Sequence, residues 1–341
     1  MCRLIRRFAA WCFVAGAVLV LWAPLVPLPG GGRLDGVTPF VAFVAMRPAI
    51  AVVLVVGAVG WLLSGRLLRG RFALPAIGLL VASVAACAQI APRAIAGSDP
   101  PHSDGVGVTV LVANAKKSNV APGTIASLVT RTRARVIALP EVNAVAAARY
   151  VRALRAATDL PWITWTDGRG GRPTDLTAQP TSIIVQESLR PQRLPGPPLP
   201  DGAHGAVRVG LTIRGTDEPL VVSAVHPRSP RLLRSNARWR DDLAALRPLC
   251  RVGDVVAGDL NATPDHSLMH ALRDAGCQSA AVRAGEGWRA TWTGGPFGIV
   301  RPMLDHVLTS GGWTSESVRI LPLAGSDHRA LVARVVPRSG T

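Results

Sequence analysis

Acidic residues are nearly missing from the first part of this 341-residue chain: up to Ala96 the only one is Asp35. That stretch lacks the mixed polarity of an ordinary globular domain, which begins only further on. Cysteine is scarce as well. There are five, none at metal-binding spacing, so a zinc–cysteine site is excluded. Cys2, Cys12 and Cys87 fall in the acid-poor part and read as small apolar residues. Cys250 and Cys277 lie later, and the sequence leaves open whether they pair. No internal repeat is present, so a stacked-repeat architecture is excluded. Gly168 to Gly171 is a flexible loop and not a phosphate cradle, because no strand and helix frame it.

Long apolar runs are abundant in the acid-poor part, at about 8–28, 39–63 and 72–91. Each approaches the ~20 residues that a bilayer-spanning helix needs. Arg3, Arg6 and Arg7 before the first run also fit a cleaved signal peptide. Trp11, Trp22 and the prolines at 24, 27 and 29 make a poor cleavage region, and two more runs follow, so the expectation is a retained anchor of three transmembrane helices over 1–96. Arg66, Arg69 and Arg71 lie between the second and third runs, which places the N-terminus and that loop inside and the remainder of the chain on the extracytoplasmic face of the cell membrane. Arg47-Pro48 interrupts the second run, and the span is read as snorkelling there or starting after it.

The net charge is +17. The first 98 residues contribute nine Arg against one Asp; the rest holds 29 Lys plus Arg against 20 acids. The later part is therefore basic in its own right. This suits an anionic substrate, and a plain arginine bias reads equally well.

A linker at 97–107, rich in Ser, Asp, Pro and Gly, leads to a domain at 108–337. Short apolar strands are expected at Val108–Ala113, Val136–Leu139, Thr181–Val185, Ala206–Ile213, Leu220–Val225, Val255–Ala257, Leu304–Leu308, Val318–Leu321 and Leu331–Val335. Helical spacing covers Thr124–Arg133, Ala144–Ala157, Leu232–Leu246 and Leu268–Ala275, and long loops are expected at 166–177 and 191–202. Short strands broken by a few helices predict an α+β fold of two packed β-sheets with helices outside.

Polar residues recur at the strand exits: Asn114, Glu141, His226, Asp259, Asn261, Asp305, Asp327 and His328. Each has a plain structural reading alone, such as a turn asparagine, a helix-start acid or an Asx turn. Together they deliver oxygen ligands for a hard cation, a base for water and donors for phosphate charge. His102, His204, His266 and His270 read as surface residues; Trp162, Trp165 and Trp288 read as groove-lining or, more simply, partly buried.

Gly258-Asp259-Leu260-Asn261 followed by Thr263-Pro264, with Ser326-Asp327-His328, resembles the signature of the endonuclease/exonuclease/phosphatase superfamily. Leu139-Pro140-Glu141-Val142, and Thr291-Trp292 with Leu304-Asp305-His306-Val307, resemble further parts of it, over roughly Val108 to Val336. Three apolar runs ahead of such a domain are similar to a bacterial membrane-anchored branch. The resemblance implies a DNase I-like four-layer sandwich and a Mg²⁺ (or Mn²⁺) site of Glu141 with Asn114 and Asp327. His328 would be base or electrostatic partner of the phosphate, and Asp305 would hold its ring. Asp259 would orient or deprotonate the attacking water, Asn261 would donate to phosphate, and His226 would donate to phosphate or protonate the leaving group. The chain departs from the pattern after Asn114, where Ala115-Lys116-Lys117 supplies no second carboxylate. The function implied is a membrane-anchored phosphoesterase acting on nucleic acid, phospholipid or a sugar phosphate. The alternative is a catalytically silent module that binds an anionic ligand. Oligomeric state is not legible.

Overall fold

Val108-Thr109-Val110-Leu111-Val112 illustrates how the fold is built. Strand periodicity sends alternate side chains to opposite faces, and here both faces are buried. Val108, Val110 and Val112 enter a core between two sheets, whereas Leu111 enters a second core beneath helices. A strand covered on both sides reads as a continuous apolar run.

The computed structural model describes residues 15, 16, 18, 22–28, 32–67, 73–97, 105–167, 180–197, 199–200, 204–231, 236–295 and 301–338. They form two compact units. The first comprises the chain up to Pro92 with Arg231–Ser235 and Asp265–Ser267; the second holds Arg93–Pro230, Asn236–Pro264 and Leu268–Thr341.

In the first unit, α1 (Phe40–Ala45), α2 (Arg47–Leu67) and α3 (Ala73–Ile90) follow one another. Leu54 and Ala58 pack with Ala82 and Ala86. Buried polar contacts hold the outlying segment: Arg47 pairs with Asp265 at 3.5 Å, the His266 ring meets the Val41 carbonyl at 3.0 Å, and Ser267 donates to Asp35 at 2.8 Å. His266 is thus buried, not on the surface as expected.

The expected membrane anchor is overturned. Among the described residues no helix is long and apolar enough to cross a membrane. The second run is cut at Met46, where α1 ends and Arg47-Pro48 starts a new helix whose first residue carries the buried charge paired with Asp265. The third run forms 18 residues of helix. The first run lies mostly outside the described residues, and its described end is a short turn at Ala23–Leu25 entered through Pro24. The loop charges at Arg3, Arg6, Arg7, Arg69 and Arg71 also lie outside the described residues. The multi-pass, outward-facing placement falls with the spans, and nothing found supports the membrane partner.

The second unit stacks two six-stranded sheets. The first runs β11 (Trp313–Pro322), β12 (Arg329–Pro337), β1 (Val108–Val112), β2 (Val136–Pro140), β4 (Thr181–Gln186), β3 (Trp162–Thr166). The second runs β5 (Gln192–Leu194), β6 (Ala206–Leu211), β7 (Leu220–Val225), β8 (Val255–Asp259), β10 (Asp305–Thr309), β9 (Gln278–Ser279). β1/β2 and β7/β8 are parallel and the other pairs antiparallel, so both sheets are mixed. α4 (Pro122–Thr132) and α5 (Ala144–Thr158) cover the outer face of the first sheet through Ile125, Leu128, Tyr150 and Leu154. The strands foreseen as apolar runs form close to their expected places. Those unforeseen, β3, β5 and β9, are sheet edges without a continuous apolar run, and β5 falls in the expected 191–202 loop. Of the expected helix at Leu232–Leu246, residues 232–235 lie outside the described residues, and the rest forms α6 (Ala237–Ala244), followed by α7 (Arg247–Arg251) with Pro248 in its first turn. α8 spans Ser267–Asp274 and α9 spans Ala280–Arg283. Most of the expected 97–107 linker, and the 168–177 part of the first long loop with Gly168–Gly171, lie outside the described residues, as does His102.

Cys250 and Cys277 form a disulfide that closes a separation of 27 residues. Loop-closure entropy then assigns it about 3 to 4 kcal/mol. Cys250→Ser with Cys277→Ser is expected to lower unfolding stability by about that amount in denaturant titration; equal stability of the double variant and the oxidised parent would refute the assignment.

Candidate active site

Parallel pairing decides where the polar residues gather. β1 and β2 end together at Asn114 and Glu141, and β7 and β8 end together at His226 and Asp259. The antiparallel partners begin at the same edge: Asp305 stands opposite Asp259 in register, and β12 starts directly after His328. Gly258 permits the β7/β8 approach, since a Cβ there would sit 1.9 Å from the Val225 carbonyl oxygen.

Asn114 is fully buried and bridges two acids. Its Nδ2 donates to Glu141 Oε1 at 3.1 Å and to Asp259 Oδ2 at 2.9 Å. Its Oδ1 accepts from the Lys116 N–H at 2.9 Å, and the Lys117 N–H donates to Glu141 Oε2 at 3.0 Å. Glu141 and Asn261 both hold left-handed backbone, at φ 60 and 50. Such strain persists where the surroundings over-determine it, and it clusters at working sites.

The His328 ring joins the same group. Its Nδ1 lies 2.7 Å from Asp305 Oδ2 and its Nε2 lies 3.7 Å from Asp259 Oδ2. Burial works against a charged ring here, yet the Asp305 and Asp259 charges and the Asp305 hydrogen bond outweigh it, and the imidazole is pushed up to about 10. Burial pushes the Asp259 carboxyl up to about 7, against the pull of the His328 charge and of donors from Asn261 and Asn114. The Thr291 hydroxyl accepts from the Leu304 and Asp305 N–H groups at 2.9 Å and pins the strand that carries Asp305.

Of the residues expected to act, Asn114, Glu141, Asp259, Asp305 and His328 form one continuous cluster. His226 adjoins it, with Nε2 3.8 Å from Asp259 Oδ2. Asn261 is present, but its Nδ2 donates to the Pro227 carbonyl at 3.0 Å, so one of its two amide hydrogens is turned into the loop. Asp327 sits toward the rim, with Oδ2 3.3 Å from Trp292 Nε1 and 3.8 Å from Lys116 Nζ.

Sequence reasoning missed several supports. His204, expected at the surface, stacks on His226 with ring centroids 4.9 Å apart. Arg228 chelates Asp242, and Trp239 Nε1 donates to the Asn261 carbonyl, so α6 braces both loops. The Ser326 hydroxyl donates to the Asn114 carbonyl at 2.7 Å. Of the tryptophans, Trp162 is buried in the helix-covered core, Trp165 packs against the inter-sheet core, and Trp288 is exposed. No local pattern marks a histidine as a partner for another 22 residues away.

The donor chemistry fits a hard divalent cation. One ligand atom each from Asp259, Asp305 and His328 lie within 4.8 Å of one another, and Asp305 Oδ1 is buried without a hydrogen-bond partner among the described residues. The Glu141 and Asp259 carboxylates also converge on the one Asn114 amide nitrogen, and carboxylate oxygens gathered in this way suit a hard cation.

A family model described as the endonuclease/exonuclease/phosphatase family matches residues 110–328, more than half of the chain. The chain belongs to this family. Solved structures carry the same fold. An endonuclease/exonuclease/phosphatase from Beutenbergia cavernae is 16% identical with a TM-score of 0.53, over 68% of this chain and 72% of that one. A family protein from Leptotrichia buccalis is 12% identical at 0.51, over 67% and 99%. TDP2 of D. rerio, complexed with a single strand DNA product, is 15% identical at 0.50, over 67% and 98%. No curated protein matches the chain. Members of the family are typically divalent-metal-dependent phosphoesterases and nucleases. A membrane-anchored branch finds no support in these comparisons.

Because the folded His328 value lies above the unfolded one of ~6.5, the ring stabilises the fold fully below pH ~6.5 and loses that contribution as pH rises toward about 10. Asp305→Asn leaves burial less opposed, and the His328 ring is expected to titrate near or below the ordinary histidine range. Imidazole resonances followed by NMR from pH 6 to 10 read this directly; a variant ring still protonated at pH 9 would contradict it.

Proposed function

We propose that this protein is a divalent-metal-dependent phosphoesterase that hydrolyses a phosphodiester. The observation that carries the reading is the clustering of a buried Asp305–His328 pair, Asp259, and an Asn114-bridged Glu141 where strand ends of the two stacked sheets meet. Two carboxyl and imidazole groups with values pushed far from their ordinary ones supply the acid–base assignments.

Asp259, raised to about 7 by burial, is only partly ionised near neutrality, and its ionised form accepts the proton of the attacking water. His328, held charged by Asp305, faces the scissile phosphate as an electrostatic partner; this favours that role over the general base for His328. His226, beside Asp259, donates to phosphate or to the leaving group. Asn261 offers its remaining amide hydrogen. Glu141 with Asn114, and Asp327 at the rim, would hold Mg²⁺ (or Mn²⁺), which when bound neutralises phosphate charge in an in-line displacement.

Among substrates, the basic balance of the later residues and the DNA product in the TDP2 structure support nucleic acid first. Turnover of DNA, RNA, phospholipid and sugar-phosphate substrates distinguishes the classes. Only a polyanion would bind with a steep inverse salt dependence.

With a chromogenic phosphodiester and Mg²⁺, activity is expected and EDTA abolishes it. Glu141→Gln, Asp259→Ala and His328→Ala each lose roughly 10² to 10⁴ in rate while circular dichroism stays unchanged. No metal-dependent turnover in the parent chain would leave a silent binding module as the better reading. The pH–rate profile is expected to rise through about 7 as Asp259 ionises and to fall toward about 10 as His328 loses its proton. The limbs belong to the coupled group. A profile flat from pH 6 to 10 would remove these roles.

A further inference from the structure

The turn after Asn114 is unusual. Lys116, Lys117 and Ser118 are consecutive left-handed residues, at φ 47, 57 and 64. L-residues visit this region singly and at a cost, so three in succession require compensation. It comes from the site itself. The Lys116 N–H donates to Asn114 Oδ1 and the Lys117 N–H to Glu141 Oε2, the Ser118 hydroxyl donates to the Glu141 carbonyl at 3.2 Å, and the Asn119 N–H closes on the Ala115 carbonyl at 2.8 Å.

The turn holds the Lys116 backbone beside the cluster, and its side chain, 53% exposed, brings Nζ to 3.8 Å from Asp327 Oδ2. An exposed pair at that separation adds little to stability, so fold stabilisation does not account for the strained backbone. The electrostatic need is plain. Glu141, Asp259, Asp305 and Asp327 crowd a cleft that must admit an anion, with the His328 ring charge set among them. A lysine ammonium is a compact point charge on a flexible stem, suited to one phosphate oxygen.

We propose that Lys116 is a substrate-binding residue whose ammonium, steadied by Asp327, contacts an anionic oxygen of the substrate phosphate. The inference rests on the phosphoesterase reading and deepens it: the chain carries a fixed cation of its own where the sequence supplies no second carboxylate after Asn114.

Inorganic phosphate is the probe, titrated by calorimetry into the full chain with Mg²⁺ present. Lys116→Gln, and as a second variant Lys116→Met, which keeps the stem, are expected to weaken phosphate binding roughly tenfold or more. Lys116→Arg should stay within about threefold of the parent, because the charge is kept. With a phosphodiester substrate, KM should rise in the same proportion while kcat changes less. Unchanged phosphate affinity in either neutral variant overturns the proposal, as does an absence of phosphate binding by the parent chain. Failure of the parent to turn over any phosphodiester would instead count against the phosphoesterase reading, while the phosphate titration would still report on Lys116.

Discussion

Burying several carboxylates where strand ends of two stacked sheets meet is the constraint on which the rest of this structure depends. Isolated charges do not survive removal from water; they must be paired, hydrogen-bonded or neutralised. Here one imidazole and one carboxamide perform that task. The His328 ring answers Asp305 and Asp259, and the Asn114 amide answers Asp259 and Glu141. Loss of either link leaves an uncompensated charge in an apolar frame, so the same contacts serve stability and chemistry.

The fold exists to make that cluster possible. Two parallel strand pairs end at the same edge, and antiparallel neighbours bring Asp305 and His328 back to it from distant positions in the chain. The strands are buried on both faces and therefore rigid, which lets their exits hold strained backbone at Glu141 and Asn261. Supports outside the strands lock the loops: Thr291 on the Asp305 backbone, Arg228 with Asp242, and Trp239 on Asn261.

Apolar content was the misleading signal. A run of apolar residues suggests removal from water without specifying the medium, and in the runs before residue 92 only one stripe, including Leu54, Ala58, Ala82 and Ala86, is buried, while Val52, Val56, Val81 and Val84 are exposed. A proline turn at Pro24 and a break at Arg47-Pro48 interrupt the runs, and among the described residues no helix is long and apolar enough to cross a membrane. Arg47 illustrates why. Its partner, Asp265, lies 218 residues away, so nothing local announces that the charge is satisfied. The same holds for His266 against Val41 and for Asp35 against Ser267.

By itself the sequence determined the inner strands, since residues buried on both faces must be apolar in unbroken runs. It also determined which polar side chains stand at strand exits, because strand-ending motifs such as Gly258-Asp259-Leu260-Asn261 are local. Tertiary structure alone decided what depends on distance through space. That includes the pairing of Cys250 with Cys277, the stacking of His204 on His226, the edge strands that pair only because a neighbour is offered, and the reach of Lys116 to Asp327. The physical reason is common to all four. Periodicity and turn chemistry act over a few residues, whereas charge compensation and sheet closure act across the folded chain.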